Sequence, residues 1–222
     1  MVAPGDNIAA AVSGGKDSLA ALTALAALRR FYPKKFTLAA ITVDLGLPGF
    51  DVSAVAEFCA GLNVPYSVVK TDIGPVVFEE RKEKNPCSLC AKMRKGALNN
   101  EALRMGCNRV AYGHNRDDFL NTFLLSLFYE GRLNTLEPVT WLDRSGLYAI
   151  RPLVYVTERE TAGFAKHENL PVVKSPCPAD GHTKRAETAA LLAELRKRHD
   201  HLDAKLFTAV SGLFPRNKAA SE

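Results

Sequence analysis

Short apolar runs that predict strands alternate with helical repeats along the first 130 residues. The predicted strands are Ile8 to Val12, Leu38 to Val43, Tyr66 to Val69 and Arg109 to Tyr112. The predicted helices are the leucine repeat from Leu19 to Leu28, Val52 to Leu62, Cys87 to Met105 and Asp117 to Glu130. Because strands separated by crossover helices form parallel sheets, the predicted fold class is α/β, with a parallel sheet and helices on both faces. Ligands of such sheets bind beyond the carboxyl ends of the strands.

The pattern is looser after Gly131, where prolines stand at positions 138, 152, 171, 176 and 178. Helical segments return near Ala186–His199 and Leu202–Leu213. We therefore predict a main domain over 1–155, a small C-terminal helical extension over 156–215 and a frayed polar tail over 216–222, with the first two forming one compact unit.

The polar sequence Ser13-Gly14-Gly15-Lys16-Asp17-Ser18 follows the first strand and opens the first helix. Free backbone N–H groups and the positive end of the helix dipole receive phosphates at such a place, and the glycines allow close approach. A Walker A loop needs glycine where Ala10 stands and a magnesium-binding hydroxyl where Asp17 stands. The sequence thus predicts a phosphate loop of a different kind.

A second polar cluster, Gly113-His114-Asn115-Arg116-Asp117-Asp118, lies between the fourth strand and the next helix. Its paired carboxylates either cap that helix or hold magnesium, since hard oxygen ligands suit that ion. The pattern alone leaves both interpretations open.

The composition predicts a soluble protein inside the cell. Of the 222 residues, 47% are hydrophobic and 24% are charged, which suits one domain with an ordinary core. Apolar runs are far shorter than the roughly 18 residues that cross a bilayer, and Met1 does not start a secretory signal. We expect a cytoplasmic protein without a membrane partner. The net charge of +5 permits a polyanionic partner but does not require one.

Five cysteines without a secretory signal indicate thiolate chemistry or metal ligation rather than disulfides. Cys87 and Cys90 form a CxxC at the start of a helix, and Cys177 lies in a proline-rich loop. A CxxC by itself fits a redox pair, half a zinc site or two packed thiols. For zinc, His114 and His182 are candidate further ligands.

The other cysteines and histidines carry weaker signals. Cys59 lies on an apolar helix face and Cys107 between a helix end and a strand, so both are interpreted as core thiols. His167, His199 and His201 stand in polar surroundings and are interpreted as surface residues.

The order Ser-Gly-Gly-Lys-Asp-Ser resembles the PP-loop of the ATP pyrophosphatases, which cleave ATP between the α and β phosphates. The segment from Gly113 through Phe123, Phe128 to Gly131, Arg151 to Leu153 and Pro48 to Phe50 further resemble the tRNA 2-thiocytidine synthetases. This likeness runs from about Gly5 to Arg198.

The resemblance implies an ATP-dependent tRNA-cytidine thiolase with ATP, Mg²⁺ and a 4Fe-4S cluster as cofactors. It places the cluster on Cys87, Cys90 and Cys177, although members often carry a second CxxC where this chain has Cys177 alone. Three thiolates leave one iron open to hold sulfide. An anticodon-loop cytidine of tRNA, a sulfur donor protein or sulfide, and a second copy in a homodimer are the implied partners.

Roles follow for the site residues. Ser13, Gly14, Gly15 and Ser18 are expected to cradle phosphate, with Lys16 offsetting charge on pyrophosphate. The carboxylates expected to hold magnesium or polarise the substrate are Asp17, Asp117 and Asp118. Asp44, Gly113 and His114 are expected to border the nucleotide. Arg94 is a further catalytic candidate. It belongs to a group of basic residues around the cysteines that either bind an RNA backbone or simply face solvent. The other members are Arg81, Lys82, Lys92, Lys95, Lys184 and Arg185.

Two other functions remain open. Members of the resembled family usually have a helical segment before the phosphate loop, whereas only seven residues precede Ile8 here. This difference favours a cluster-dependent enzyme that acts on a free nucleobase or another small molecule. A nucleotide or redox sensor without catalysis is the other alternative. The charged set Lys16, Asp17, Asp117 and Asp118 argues against it, because a sensor needs binding alone.

Overall fold

A computed structural model of the chain describes residues 1–81, 86–179 and 184–215. Its strands are β1 Asn7–Ala11, β2 Thr37–Asp44, β3 Tyr66–Lys70, β4 Arg109–Ala111, β5 Val139–Leu142 and β6 Leu147–Ile150. Its helices are α1 Lys16–Phe31, α2 Ser53–Gly61, α3 Ile73–Pro75, α4 Pro86–Arg104, α5 Arg116–Leu125, α6 Glu158–His167, α7 Lys184–Arg198 and α8 Leu202–Ser211. π-helical turns at Val76–Glu80 and Ser126–Glu130 continue α3 and α5.

The strands form one six-stranded sheet in the order β3-β2-β1-β4-β6-β5. All neighbouring strands run parallel except β5, which pairs antiparallel with β6 at the edge. The chain order reverses between β1 and β4, and both the phosphate loop and the Gly113–Asp118 cluster leave the sheet at this reversal. This is the usual ligand crevice of an open parallel sheet.

The core explains why the central strands are almost wholly apolar. Ile8, Ala10 and Ala40 pack with Leu22 of α1 on one face of the sheet, while Ala9 and Val110 pack with α4 on the other. Parallel strands covered on both faces read as continuous hydrophobic runs rather than as alternating ones. The predicted α/β sheet is confirmed.

The stretch after Gly131 differs from the sequence prediction, because it contains the β5–β6 hairpin and α6. Its strands have only four residues each, which is too short for a clear strand pattern in the sequence. Trp141 and Tyr148 lie against each other on the exposed face of this hairpin. Gly131 adopts a left-handed conformation (φ 64°) and ends the π-helical turn after α5. The predicted helix from Asp117 to Glu130 is therefore an α-helix followed by a wider turn.

The C-terminal helices pack directly on the main domain. Helix α6 lies against α1, and α7 and α8 lie against α5. Phe119 of α5 shares a buried cluster with Leu192 of α7 and Val210 of α8. The domain boundary near residue 155 stays a prediction, and the tail 216–222 lies outside the described residues. In the described part of the chain, no helix is long and apolar enough to cross a membrane.

Candidate active site at the β1–β4 crevice

The phosphate loop is shaped by its own serine side chains. Ser18 Oγ donates to the carbonyl of Gly15 at 2.8 Å and accepts from the amide of Ser13 at 3.1 Å. Gly15 precedes α1 without a side-chain cap, whereas α5 and α6 both begin with a capping box. The first amides of α1 are thus left for another acceptor, as in helix N-termini that bind phosphate.

Gly14 is required by both conformation and space. Its φ of +83° lies in the left-handed region, and a Cβ there would stand 2.9 Å from Cβ of Val173. The amide of Val173 also donates to the carbonyl of Gly14 at 2.9 Å. The segment that leads to Cys177 is therefore fastened to the phosphate loop.

Asp17 is the point where three segments meet. Its Oδ1 accepts from Asn115 Nδ2 at 3.1 Å and from Thr161 Oγ1 at 2.5 Å, and its Oδ2 accepts from Lys16 Nζ at 2.9 Å. The phosphate loop, the start of α5 and helix α6 are held together by this one carboxylate.

Lys16 begins α1 but does not line the large cavity of the crevice. Its ammonium binds Asp17 and also Glu158 Oε1, at 3.0 Å. Burial opposes the positive charge, but Asp17 and Glu158 more than offset it, so the pKa of Lys16 lies above its ordinary value. Its predicted partner, pyrophosphate, would meet Glu158 at the same ammonium group.

The second polar cluster combines a helix cap with a cavity wall. Gly113 approaches the phosphate loop so closely that a Cβ would stand 2.7 Å from the carbonyl oxygen of Asp17. Asn115 and Asp118 form the capping box of α5, in which the Asp118 carboxylate accepts from the Asn115 amide at 2.9 Å. Asp118 also lines the cavity and faces Arg185 at 3.7 Å. Burial raises the pKa of Asp118.

Asp117 does not line the cavity. It is buried, its Oδ2 accepts from the amide of Glu158 at 2.7 Å, and its Oδ1 forms an ion pair with Arg196. Arg196 binds Asp203 of α8 as well, at 2.8 Å. Of the paired carboxylates, Asp118 therefore faces the crevice, while Asp117 ties α5 to α6 and α7.

His114 forms a neutral polar wall of the cavity. Burial lowers its pKa from 6.5 to about 3, and Arg151, Arg185 and Arg94 act in the same direction. Its ring stacks on Tyr112 with centroids 5.6 Å apart. The buried Nδ1 of His114 and the hydroxyl of Tyr112 have no hydrogen-bond partner among the described residues.

The crevice opens into a cavity of about 460 Å³. Its walls come from the phosphate loop, the end of β2, helix α4, the Gly113–Asp118 cluster and the Val173–Pro176 segment. The predicted site residues that line it are Ser13, Gly15, Asp17, Ser18, Asp44, Arg94, Gly113, His114 and Asp118. Phe50 of the resembled Pro48-Gly49-Phe50 stretch lies there too.

The cavity volume lies within the range of small-molecule and cofactor pockets. Arg94, Ser175 and Pro176 bring it next to the cysteines, because Arg94 lies one helical turn after Cys90, and Cys177 follows Pro176.

The three candidate ligand cysteines converge from distant parts of the chain. Cys87 is exposed, Cys90 is buried and Cys177 is half-buried. Burial raises the pKa of Cys90; Arg94 lowers it, and the nearby thiols of Cys177 and Cys87 raise it further. Cys90 is thus close enough to both other thiols to interact with them electrostatically, and the three thiols fit the donor set of an iron–sulfur cluster.

The described residues do not, however, bring three His, Cys, Asp or Glu side chains to metal-binding distance. Residues 82–85 and 180–183, which flank these cysteines, lie outside the described residues, and so do Lys82 and His182. Cys59 and Cys107 are buried in the core, as expected, and burial raises the pKa of Cys59 to about 11.

Basic residues surround this end of the cavity. Lys92, Arg94 and Lys95 are exposed on α4, and Arg81 precedes that helix. Lys184 and Arg185 begin α7 beyond the Cys177 loop. The cations therefore stand on both sides of the cysteines.

The sequence analysis did not identify Glu158, Thr161 and Arg196 of the C-terminal helices, nor the approach of Arg185 to Asp118. One signal was available, because Thr157 and Glu160 have the spacing of a capping box and do form one at the start of α6. No sequence pattern predicts that Thr161 binds Asp17 or that Arg196 binds Asp117, because more than seventy residues separate each pair.

Known proteins resemble this chain over most of its length. The PP-loop domain family matches residues 3–190. The tRNA-cytidine(32) 2-sulfurtransferase of Geobacter sulfurreducens is 38% identical over 219 residues, which cover 97% of this chain and 85% of that protein. Its counterpart in Pelobacter propionicus is 37% identical over 220 residues, or 98% of this chain and 82% of that protein.

A solved structure agrees in fold. It is the U34-tRNA thiolase NcsA from Methanococcus maripaludis, determined with its 4Fe-4S cluster. The two structures superpose with a TM-score of 0.78 at 26% sequence identity, and the match covers 95% of this chain and 72% of the NcsA chain. With its PP-loop at the crevice and near-complete coverage by these relatives, the chain belongs to the PP-loop domain family and, within it, to the family of the tRNA-cytidine(32) 2-sulfurtransferases.

Proposed function

We propose that this protein is an ATP-dependent tRNA thiolase that replaces O2 of a cytidine by sulfur. The observation that carries the proposal is a cavity lined by the PP-loop, by Arg94 one helical turn after Cys90 and by Pro176 next to Cys177. A nucleotide site beside these thiols supports two successive steps on one base, first adenylation of O2 and then substitution by sulfur at C2. The curated relatives act on tRNA-cytidine(32), and the NcsA structure contains a 4Fe-4S cluster.

In the first step, O2 of cytidine attacks the α-phosphorus of ATP and pyrophosphate leaves. The amides at the start of α1 and the side chains of Ser13 and Ser18 receive the phosphates, and Lys16 offsets the charge that develops on pyrophosphate. Asp17 and Asp118, which both line the cavity, are the carboxylates that would hold Mg²⁺. Asp117 acts in this scheme as a positioning residue, because it does not line the cavity and its oxygens bind Arg196 and the amide of Glu158.

In the second step, sulfide sulfur attacks C2, and the original oxygen leaves with AMP. The balance is ATP, cytidine and sulfide to AMP, pyrophosphate and 2-thiocytidine, with no net oxidation. A 4Fe-4S cluster on Cys87, Cys90 and Cys177 would supply an iron with an open coordination position for sulfide. Arg94, between the cysteines and the cavity, offsets negative charge there. The neutral His114 offers hydrogen bonds without adding charge.

The basic residues on both sides of the cysteines would bind the RNA backbone of the anticodon loop. A cytoplasmic location, a homodimeric assembly, and a sulfur donor protein or free sulfide as the source of sulfur belong to the same proposal. Size-exclusion chromatography with light scattering tests the assembly, and omission of each sulfur source tests the donor.

The decisive experiment starts from protein that is purified and reconstituted without oxygen. We expect about four irons and four acid-labile sulfides per chain, with 2-thiocytidine forming in unmodified tRNA when ATP and sulfide are added. Cys177→Ser should lose both iron and product, while Cys107→Ala, a core thiol outside the cavity, should keep both.

Turnover of a free nucleobase in the absence of tRNA would instead support the small-molecule enzyme. Nucleotide binding without pyrophosphate release on any RNA would support the sensor. Iron that is retained in Cys177→Ser would contradict the three-cysteine cluster.

A further inference from the structure

Helices α1 and α6 begin next to each other, and their first residues carry opposite charges. Lys16 is the first residue of α1, Glu158 is the first residue of α6, and their side chains join at 3.0 Å. The positive ends of two helix dipoles thus meet beside the phosphate loop. A carboxylate already lies at a place where electrostatics favours an anion.

The backbone of Glu158 is held in place, whereas its carboxylate is exposed and binds Lys16. Its amide donates to Asp117 Oδ2 at 2.7 Å, and Asp117 is itself paired with Arg196, so the start of α6 is fixed. The carboxylate, by contrast, is 60% exposed, against 27% for Asp17. Of the two carboxylates on Lys16, that of Glu158 is therefore the one that can leave at little cost in buried contacts.

Asp17 cannot give way in the same manner. Its Oδ1 already accepts from Asn115 and Thr161, and it lines the cavity. An incoming pyrophosphate group therefore has one exposed competitor for the ammonium of Lys16.

We propose that Glu158 is a positioning residue that competes with the β and γ phosphates of ATP for Lys16 and thereby weakens the binding of ATP and of released pyrophosphate. The proposal rests on the proposed function, because it assumes that ATP enters the crevice. In the free enzyme Glu158 keeps Lys16 beside the phosphate loop. When the nucleotide binds, Lys16 exchanges this carboxylate for phosphate, and when pyrophosphate leaves, Glu158 takes the lysine back.

The test is equilibrium binding of the full-length protein to two probes, inorganic pyrophosphate and an ATP analogue with a methylene group between its α and β phosphates, both with Mg²⁺. Glu158→Gln removes the competing charge and should lower both dissociation constants about three- to fivefold, the range expected for loss of an exposed ion pair. Glu158→Asp keeps the charge and should stay closer to wild type. Glu168→Gln, at the far exposed end of α6, is the matched control and should not change either constant.

A double-mutant cycle separates exchange at Lys16 from a general effect of charge. In a Lys16→Gln background, Glu158→Gln should produce clearly less gain in affinity. An equal gain in both backgrounds, or weaker binding by Glu158→Gln, would overturn the proposal while leaving the ATP-dependent function intact. Absence of binding by the wild-type protein would overturn both. Since a variant that is merely damaged binds more weakly, tighter binding is a result that a purely structural role of Glu158 does not produce.

Discussion

Thr161 of α6 donates a 2.5 Å hydrogen bond to Oδ1 of Asp17 in the phosphate loop, across 144 residues of sequence. This contact makes a helix outside the predicted main domain part of the candidate active site. It fixes the orientation of a carboxylate that we expect to hold magnesium.

Thr161→Val keeps the shape of the side chain and removes this donor. Because hydrogen bonds to charged groups contribute about 1.5–3 kcal/mol, we expect the free energy of unfolding to fall by about 1–2 kcal/mol and the affinity for Mg-ATP to drop. Urea unfolding and equilibrium nucleotide binding measure the two effects. Thr208→Val on α8, whose hydroxyl bonds only its own helix, is the control. Equal losses in both variants would contradict a special role of Thr161.

Gly113→Ala should push the Gly113–Asp118 cluster away from the phosphate loop. The added Cβ would stand 2.7 Å from the backbone of Asp17, which is neither flexible nor free to move, so β1 and β4 must shift. We expect both a lower melting temperature and weaker ATP binding. Gly163→Ala within α6 meets no atom within 4 Å and should instead stabilise the protein by about 0.5–1 kcal/mol. Calorimetry compares the two directly, and unchanged ATP binding in Gly113→Ala would count against the site.

Arg196→Gln should loosen the C-terminal helices from the phosphate loop. It leaves the buried Asp117 with one partner fewer and breaks the link to Asp203. Removing one partner of a buried pair costs about 3–5 kcal/mol, and the partial exposure of Arg196 reduces our expectation to about 2 kcal/mol. Arg198→Gln, which loses only an exposed pair with Glu194, should cost less than 1 kcal/mol. Chemical unfolding of both variants measures the two losses in unfolding free energy. Similar losses would show that Arg196 does not anchor the C-terminal helices to Asp117.

His114 should make the protein less stable in acid. The unfolded chain takes up a proton at His114 below its ordinary pKa of 6.5, whereas the folded protein does so only near 3. Between these values the unfolded state binds more protons, so stability falls as the pH decreases, by at most about 1.4 kcal/mol per pH unit. Above pH 6.5 the effect is absent.

We expect wild type to lose about 1 kcal/mol more than His114→Asn when the pH is lowered from 7.5 to 5.5. Urea unfolding at both pH values, each variant compared with itself, measures this difference. Parallel losses in the two proteins would show that other groups carry the acid sensitivity.

The five thiols should react in an order set by exposure and by pKa. In the protein without a cluster, iodoacetamide should label the exposed Cys87 first, and Cys59 last, because it is fully buried and its pKa is raised to about 11. Mass spectrometry of tryptic peptides gives the order. Reconstitution with iron and sulfide should then protect Cys87, Cys90 and Cys177, but leave the slow labelling of Cys59 unchanged. Early labelling of Cys59 would contradict its burial.

The sequence predicts the sheet and the two clusters at its edge because buried parallel strands are continuous apolar runs that stop at polar turns. Ile8 to Val12 and Ser13 to Ser18 are an example. It also separates Cys59 and Cys107 from the other cysteines, since Cys59 lies on an apolar helix face and Cys107 lies between a helix end and a strand. By contrast, the different fates of Asp117 and Asp118 are invisible in sequence. They are adjacent carboxylates at one helix start, and only the positions of Arg196 and α6 turn one away from the cavity.

The contact between Val173 and Gly14 joins the segment that leads to Cys177 to the phosphate loop. Cys177 is the fourth residue after Val173, a reach of at most about 14 Å even when the chain is fully extended. The hydrogen bond from the Val173 amide to the Gly14 carbonyl therefore sets how far the cysteine loop can stand from the phosphate loop. Sulfur chemistry at Cys177 is confined by this tether to the neighbourhood of the nucleotide crevice.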